Sequence, residues 1–315
     1  MIIGVGQDQA DDATAAITIY APLGYGVTLG QTPGTKIGDV DARILVRSPV
    51  VAQAPAEGTV NARDPAQFVG NSCSPGVHEA VWTIDATVNG SPVQFPMYVD
   101  RITSGAEAAF ASLRIRVCFA SPYVPPPQGS VSGASLLVAA FSVQGVFRNP
   151  VTPGSYPWNA LFTPYTNGTA TVNPANSAQS TSFTRLPVQL GISAKKIKRG
   201  KLSFARVTGC VKEAGRAVRG VTVNFAAGRS AGRVAVVKRA RTNARGCATV
   251  LIRLRYKVTY FRASTSIPDR DVTASPGCTP PLSATPGGPP ARCTSATYAP
   301  VIGPAFSRNT LRMRR

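Results

Sequence analysis

Histidine, methionine and acidic residues are what this chain is short of. Its 315 residues include one His, three Met and 14 Asp/Glu against 34 Lys/Arg. One histidine cannot build a His-based metal set, and no C-x-x-C supplies sulfur ligands in its place. No metal and no cofactor is therefore expected. No run approaches the roughly 20 apolar residues that span a bilayer as a helix. The longest apolar stretch, Ala134 to Phe141, reads as a buried strand. Charged residues are only 15% of the chain while Gly and Pro number 29 and 27, a balance poor for long helices and suited to short strands joined by turns. The fold class expected is all-β.

What the chain does have is a charge divide. Residues 1–186 carry 9 Lys/Arg against 11 Asp/Glu, and residues 187–315 carry 25 against 3. The whole of the net +20 therefore belongs to the second part, which is +22 against −2 for the first. Such asymmetry predicts separate units with different surroundings, the second attracting something anionic. The organisation expected is an all-β domain over 1–186, a basic β-sandwich over 187–272, and an irregular Pro/Gly-rich basic tail over 273–315.

Six cysteines fall as the neighbouring couples Cys73/Cys118, Cys210/Cys247 and Cys278/Cys293. They permit 15 pairings, and the sequential one keeps each couple within one candidate unit. Isolated reduced thiols are the alternative. Disulfides call for an oxidising compartment, hence an exported or cell-surface protein. Met1-Ile-Ile-Gly-Val-Gly6 is no secretory leader, since it lacks a basic start and Asp8, Asp11 and Asp12 interrupt it. The expectation is a leader already removed, or a true start upstream.

Strand-like alternation recurs along the chain. Ala80, Trp82, Ile84, Ala86 and Val88 share one face, as do Leu113, Ile115 and Val117, with Arg114, Arg116 and Cys118 opposite. Val250 to Arg262 reads as one long strand, with Ile252, Leu254, Tyr256 and Tyr260 on its core face and Arg253, Arg255 and Lys257 on its wet face. Tyr156-Pro-Trp-Asn-Ala-Leu-Phe-Thr-Pro-Tyr165 forms a dense aromatic cluster closing the first unit.

In the second unit, Lys198-Arg-Gly-Lys-Leu-Ser-Phe-Ala-Arg-Val-Thr-Gly209 is followed by Gly215-Arg-Ala-Val-Arg-Gly-Val-Thr-Val-Asn224 and then Ala240-Arg-Thr-Asn-Ala-Arg-Gly246. This order, over about 190–272, is similar to bacterial immunoglobulin-like and carboxypeptidase-regulatory-like domains of surface proteins. The resemblance implies an immunoglobulin-like sandwich used as a spacer, stalk or adhesin, and assigns no ligand. Cys210 and Cys247, each at a strand end beside a turn, are placed for a sandwich disulfide. The first unit more loosely resembles secreted all-β regions of high-GC Gram-positive bacteria, through Ile19-Tyr-Ala-Pro-Leu-Gly-Tyr25, Cys73 with His78 and Trp82, and Tyr156 with Trp158.

Catalytic patterns are weak. Gly228-Arg-Ser-Ala-Gly232 matches the nucleophile elbow of serine hydrolases, but that elbow needs a following helix and a later histidine, and none follows Ser230. His78 with Glu79 and Asp85 has no spacing that brings the three together. The basic surface is the signal that stands out. Lys195, Lys196, Lys198, Arg199 and Lys201 form one cluster, and Arg253, Arg255 and Lys257 form another shown on one sheet face. A further group runs from Arg229 to Arg245.

No helix-turn-helix, RRM or zinc-finger pattern is present, and Tyr256 and Tyr260 read as core, so no specific nucleic-acid partner is expected. The function expected is a non-enzymatic exported or envelope-associated protein whose basic domain contacts an anionic cell-wall polymer or acidic polysaccharide. The alternative is an interaction module binding a protein or glycan through Trp82, Trp158, Tyr156 and Tyr165, its positive charge merely compositional.

Overall fold

A computed structural model of the chain describes residues 1–88, 90–150, 154–185, 188–213, 215–267, 272–279, 292–298, 305–307 and 310–314. It is all-β, as the composition requires. By internal contacts it divides into two compact units. The first is Met1–Pro150 with Tyr156–Phe183 and Thr273–Tyr298, and the second is Val151–Ser155 with Thr184–Val272 and Ala299–Arg315.

The strands up to the boundary are β1 (Ile2–Gly6), β2 (Thr14–Pro22), β3 (Gly26–Val27), β4 (Lys36–Val46), β5 (Ala52–Arg63), β6 (Ala80–Val88), β7 (Ser91–Arg101), β8 (Ala111–Cys118), β9 (Ser135–Ser142), β10 (Phe147–Arg148), β11 (Ser155–Pro164) and β12 (Ala178–Arg185). Ten of them form one sheet in the order β1-β9-β4-β5-β6-β7-β8-β2-β11-β12, and β3 pairs with β10. The middle of the sheet is a simple meander, β4 to β8, each strand pairing antiparallel with the next. Residues of β1 and β9 line the same cavity as residues of β8 and β2, so the sheet curls over itself and its two ends face each other.

The alternation read from the sequence sets which side chains turn inward. Trp82 and Ala86 of β6 and Leu113, Ile115 and Val117 of β8 all lie in the apolar core, while Arg114, Arg116 and Cys118 lie opposite. Tyr156 and Trp158 pack edge-on against Tyr25 at 5.7 and 5.1 Å, closing one end of that core. Cys118 bonds Cys73, stapling the 64–79 loop to the polar side of β8, and Arg116 Nε donates to the Cys73 carbonyl at 3.0 Å.

The remaining strands are β13 (Val188–Arg199), β14 (Leu202–Glu213), β15 (Arg216–Ala217), β16 (Thr222–Ser230), β17 (Arg233–Arg241), β18 (Cys247–Arg253), β19 (Val258–Thr265), β20 (Val272–Thr279), β21 (Arg292–Tyr298), β22 (Ala305–Phe306) and β23 (Leu311–Arg314). In the second unit β14 pairs with β13, β15 and β18 in one sheet, and β16 lies between β17 and β19 in the other. Both β22 and β23 add to β19. The core between the sheets gathers Val207, Val211, Val223, Phe225, Ile252 and Phe261. A Cβ on Gly209 would lie 3.2 Å from the Phe225 ring, so the bare glycine is what lets that ring sit against β14.

Two expectations change here. Val250 to Arg262 is not one strand: β18 ends at Arg253, and the chain passes to the other sheet before β19 begins. The inward set shifts parity across this passage, from Val250, Ile252 and Leu254 to Thr259, Phe261 and Ala263. Tyr256 is left 41% exposed and Tyr260 half-buried, so neither is core. A period-two pattern does not register the passage because an aliphatic or aromatic residue falls at every even position from Val250 to Tyr260.

The 273–315 segment, expected to be irregular, also contributes strands. Leu311-Arg-Met-Arg314 alternates well enough to join an open edge, and β20 pairs with β21. Cys278 and Cys293 lie on β20 and β21, but their proposed bond falls outside the described side chains.

At Gly58 on β5, a Cβ would fall 2.0 Å from the Asp85 carbonyl oxygen and 2.7 Å from the Ala86 Cα on β6. Gly58→Ala should therefore cost about 3 kcal/mol, read as a lower urea midpoint at unchanged slope. A variant as stable as the parent would mean that β5 and β6 do not approach this closely.

Candidate functional site

The cations of the second unit are placed by strand alternation. On β14, Ala205, Val207, Val211 and Glu213 turn inward, so Phe204, Arg206, Thr208, Cys210 and Lys212 turn out. Across that face, Lys195 of β13 stands opposite Arg206, and Arg253 of β18 stands opposite Phe204. Two like charges directly opposite on one sheet face are destabilising. Glu213, the one described carboxylate of this unit, is buried beside Arg185 with Oε1 at 3.8 Å from Nε, so no described carboxylate stands on the surface to relieve them.

The outer face of the other sheet is richer still. Arg239 and Arg241 of β17 lie opposite Asn224 and Thr222, Arg262 of β19 opposite Ala226, and Arg312 of β23 opposite Tyr260. All four arginines are exposed. Aromatic rings are interleaved with this surface: the Arg262 guanidinium sits 5.2 Å from the centre of the Phe306 ring, and that of Arg229 sits 5.7 Å from the Tyr256 ring. Each is at cation–π distance, which holds the flat guanidinium against an apolar support.

The clusters expected from sequence are only partly gathered. Lys195, Lys196, Lys198, Arg199 and Lys201 are all exposed along β13 and the turn after it. Lys195 and Arg199 share the outward face with Arg206, whereas Lys196 and Lys198 have the opposite parity. β13 is an edge strand, and lysines on an edge also discourage pairing with another chain. Arg253, Arg255 and Lys257 do not share one sheet face. Arg253 ends β18, while Arg255 and Lys257 belong to the passage between sheets, because the strand that would have aligned them is broken. Arg206, Arg262 and Arg312 were missed from sequence, and the alternation Leu311-Arg-Met-Arg314 was the signal available for the last of them.

Cys210 and Cys247 form a disulfide. They are direct partners on neighbouring strands β14 and β18, with Cα atoms 4.0 Å apart, so the bond ties one sheet to itself rather than joining the two sheets. The turn at Gly246 and Asn243 delivers Cys247 there: Asn243 Oδ1 accepts from the backbone N–H of Arg245 and of Cys247. Gly228-Arg-Ser-Ala-Gly232 is the hairpin joining β16 to β17, which is the wrong setting for a nucleophile elbow.

In the first unit, His78, Glu79 and Asp85 go three separate ways. His78 is buried, its Nε2 lying 2.6 Å from the Ser74 carbonyl oxygen and its Nδ1 3.0 Å from the Asp100 carboxylate. Both ring nitrogens are engaged by groups of the fold, so the side chain is turned into the protein. The ring serves as a latch, holding the disulfide loop to β7. Arg114 carries the network onward, 3.4 Å from Asp100 and 3.5 Å from Glu107, which accepts from Tyr20 at 2.7 Å. Burial, and then the Glu107 charge, push the Tyr20 hydroxyl far above its usual range. Burial and the neighbouring Arg114 lower Arg116.

Glu79 pairs with Arg101 in water. Among the described residues no group of three or more His, Cys, Asp or Glu could hold a metal ion. Trp82, Trp158, Tyr156 and Tyr165 are all buried, so they offer no aromatic platform to a partner. No described helix is long and apolar enough to cross a membrane.

Comparison with known proteins returns no matching family model, no matching curated protein and no matching solved structure.

Asp85 gathers Arg63 Nη2 at 2.7 Å, Asn61 Nδ2 at 2.6 Å and Gln94 Nε2 at 2.7 Å. Burial alone would raise its carboxyl, but these hydrogen bonds and the Arg63 charge outweigh it and hold the group below the usual range. A lowered folded value means stability that is complete above the ordinary carboxylate range, about 4, and lost as pH falls through the folded value. Asp85→Asn should be about 1–2 kcal/mol less stable than the parent near neutrality. The gap should close in acid, as followed by urea unfolding at several pH values, and a gap independent of pH would contradict this account.

Proposed function

We propose that this is a non-enzymatic, exported protein of the cell envelope whose basic unit contacts an anionic envelope polymer, either a wall polymer or an acidic polysaccharide. The observation that carries this reading is the one-signed described surface of that unit. Lysines and arginines stand exposed on the outer faces of both sheets, and the described carboxylate of the unit is buried. No described carboxylate lies on that surface to pair with its cations, so a polyanion gains contacts without first breaking a described ion pair there. Two disulfides support an oxidising compartment. The resemblance of residues 190–272 to bacterial surface domains supports an envelope location and an immunoglobulin-like role as spacer or adhesin.

Arg-rich faces with half-exposed rings favour a polymer carrying phosphate or carboxylate groups at intervals. A guanidinium makes two parallel hydrogen bonds to either group, and one braced on a ring has less freedom to lose on binding. Nothing in such contacts reads a base sequence, so the surface is matched to charge spacing and not to a specific nucleic acid.

The test is retention of the full chain on isolated cell walls as salt is raised. Bound protein should fall at least on the order of tenfold between about 50 and 200 mM salt. The combined variant Arg239→Gln, Arg241→Gln, Arg262→Gln and Arg312→Gln should bind more weakly and with a shallower salt dependence. Retention that ignores salt, or a variant that binds as the parent does, would sink the reading. Tighter binding to duplex DNA than to wall polymer would replace it with a nucleic-acid function.

A further inference from the structure

We propose that the curled sheet of the first unit is a binding site for an aliphatic chain, such as the hydrocarbon part of a fatty acid, fatty alcohol or lipid. The sheet encloses an apolar cavity of about 260 Å³ whose walls come from eight strands, β1, β2 and β4 to β9. Protein interiors are packed to near crystal density, with few voids larger than a water molecule. This one exceeds the roughly 150 Å³ apolar cavity that takes up benzene in a well-studied engineered case.

The space follows from the residues placed around it. Ala139, Ala42 and Ala56 are direct partners across three neighbouring strands, β9, β4 and β5, and all three are buried on the cavity wall. Ala86 of β6, opposite Gly58, extends the wall of small side chains. A row of leucines or isoleucines in those positions would close the space, whereas alanines leave the opposite wall of Ile17, Ile115 and Val117 without partner atoms across it.

The cavity is open at one side. Phe95 and Phe119, their rings 5.5 Å apart, are half-buried in its lining, and Val131 beside them is exposed. Among the described residues no charged side chain lines it, and its polar side chains are those of Gln94, Ser130 and Ser135. An ionised or strongly hydrated ligand therefore finds nothing inside to replace its water, while a methylene chain gains roughly 0.8 kcal/mol for each CH₂ group buried. Arg47 donates to Ser135 Oγ at 2.7 Å and to the Gly133 carbonyl at 3.2 Å, which places a cation behind the polar edge where a head group would rest. The cavity belongs wholly to the first unit, so its occupant is decided separately from the polyanion contacts of the second.

The experiment uses the full chain and the apolar fluorophore N-phenyl-1-naphthylamine. The parent should bind it saturably at one site and release it to both dodecanoate and 1-dodecanol. Ala42→Leu, at the centre of the alanine row, should lose at least tenfold in affinity while its melting temperature stays level or rises, because the added side chain fills a void. Should that variant fail to fold, Ala139→Val provides the same comparison with a smaller insertion. No saturable binding by the parent, or equal binding by a folded filled variant, overturns the proposal. A parent that binds the fluorophore only after dissociating from a dimer would assign the space to a second copy of the chain, and would overturn it too.

Discussion

In both units the rest of the structure depends on the two-residue period of a strand, which sends alternate side chains to opposite faces. In the second unit that rule puts Val207, Val211, Val223 and Phe225 inside, and it places arginine and lysine on the outer faces. Glu213 falls on the inward parity and is buried beside Arg185, so it cannot offset a cation at the surface. Lys195 facing Arg206 is a local consequence. Their repulsion weakens the unit, and it is opposed by the core and by the disulfide that clasps β14 to β18. A polyanion would relieve that repulsion as it binds. The arrangement that costs stability is therefore the same one that supplies attraction.

The first unit treats charge differently. Its acids and bases are close to balanced in number, and several are paired: Arg63 with Asp85, Arg101 with Glu79, and Arg114 with Asp100 and Glu107. His78, Asp100 and Arg114 join the disulfide loop to β7 and β8 in one polar network. On their opposite side β7 and β8 put Phe95, Met97, Ile115 and Val117 around open space, which the alanines in register on β9, β4 and β5 also line. Among the described residues the dense cationic surface thus lies in the second unit, and the apolar cavity lies in the first.

Much of this was legible from particular residues. Ala80 to Val88 and Leu113 to Val117 alternate cleanly and form strands with the inward faces expected. Cys73 and Cys210 each bond the next cysteine in sequence, because each couple closes a loop within its own unit. Illegible were the passage at Leu254 to Lys257, where Tyr256 keeps a false rhythm, and the role of the last residues as an edge strand. With the break unseen, Arg255 and Lys257 were assigned to a sheet face they do not occupy, and the outward positions of Arg262 and Arg312 went unnoticed.

By itself the sequence determined the all-β class, the sign and location of the charge, and which cysteines are neighbours. These follow from composition and from patterns a few residues long. Only the tertiary structure decided which cations share a face, that Cys210–Cys247 lies within one sheet, and that Ala42, Ala56 and Ala139 stand side by side. The reason is register. A strand's local period states which way a side chain points, but its cross-strand partners are set by pairing with distant segments, as Ile2 pairs with Ser142.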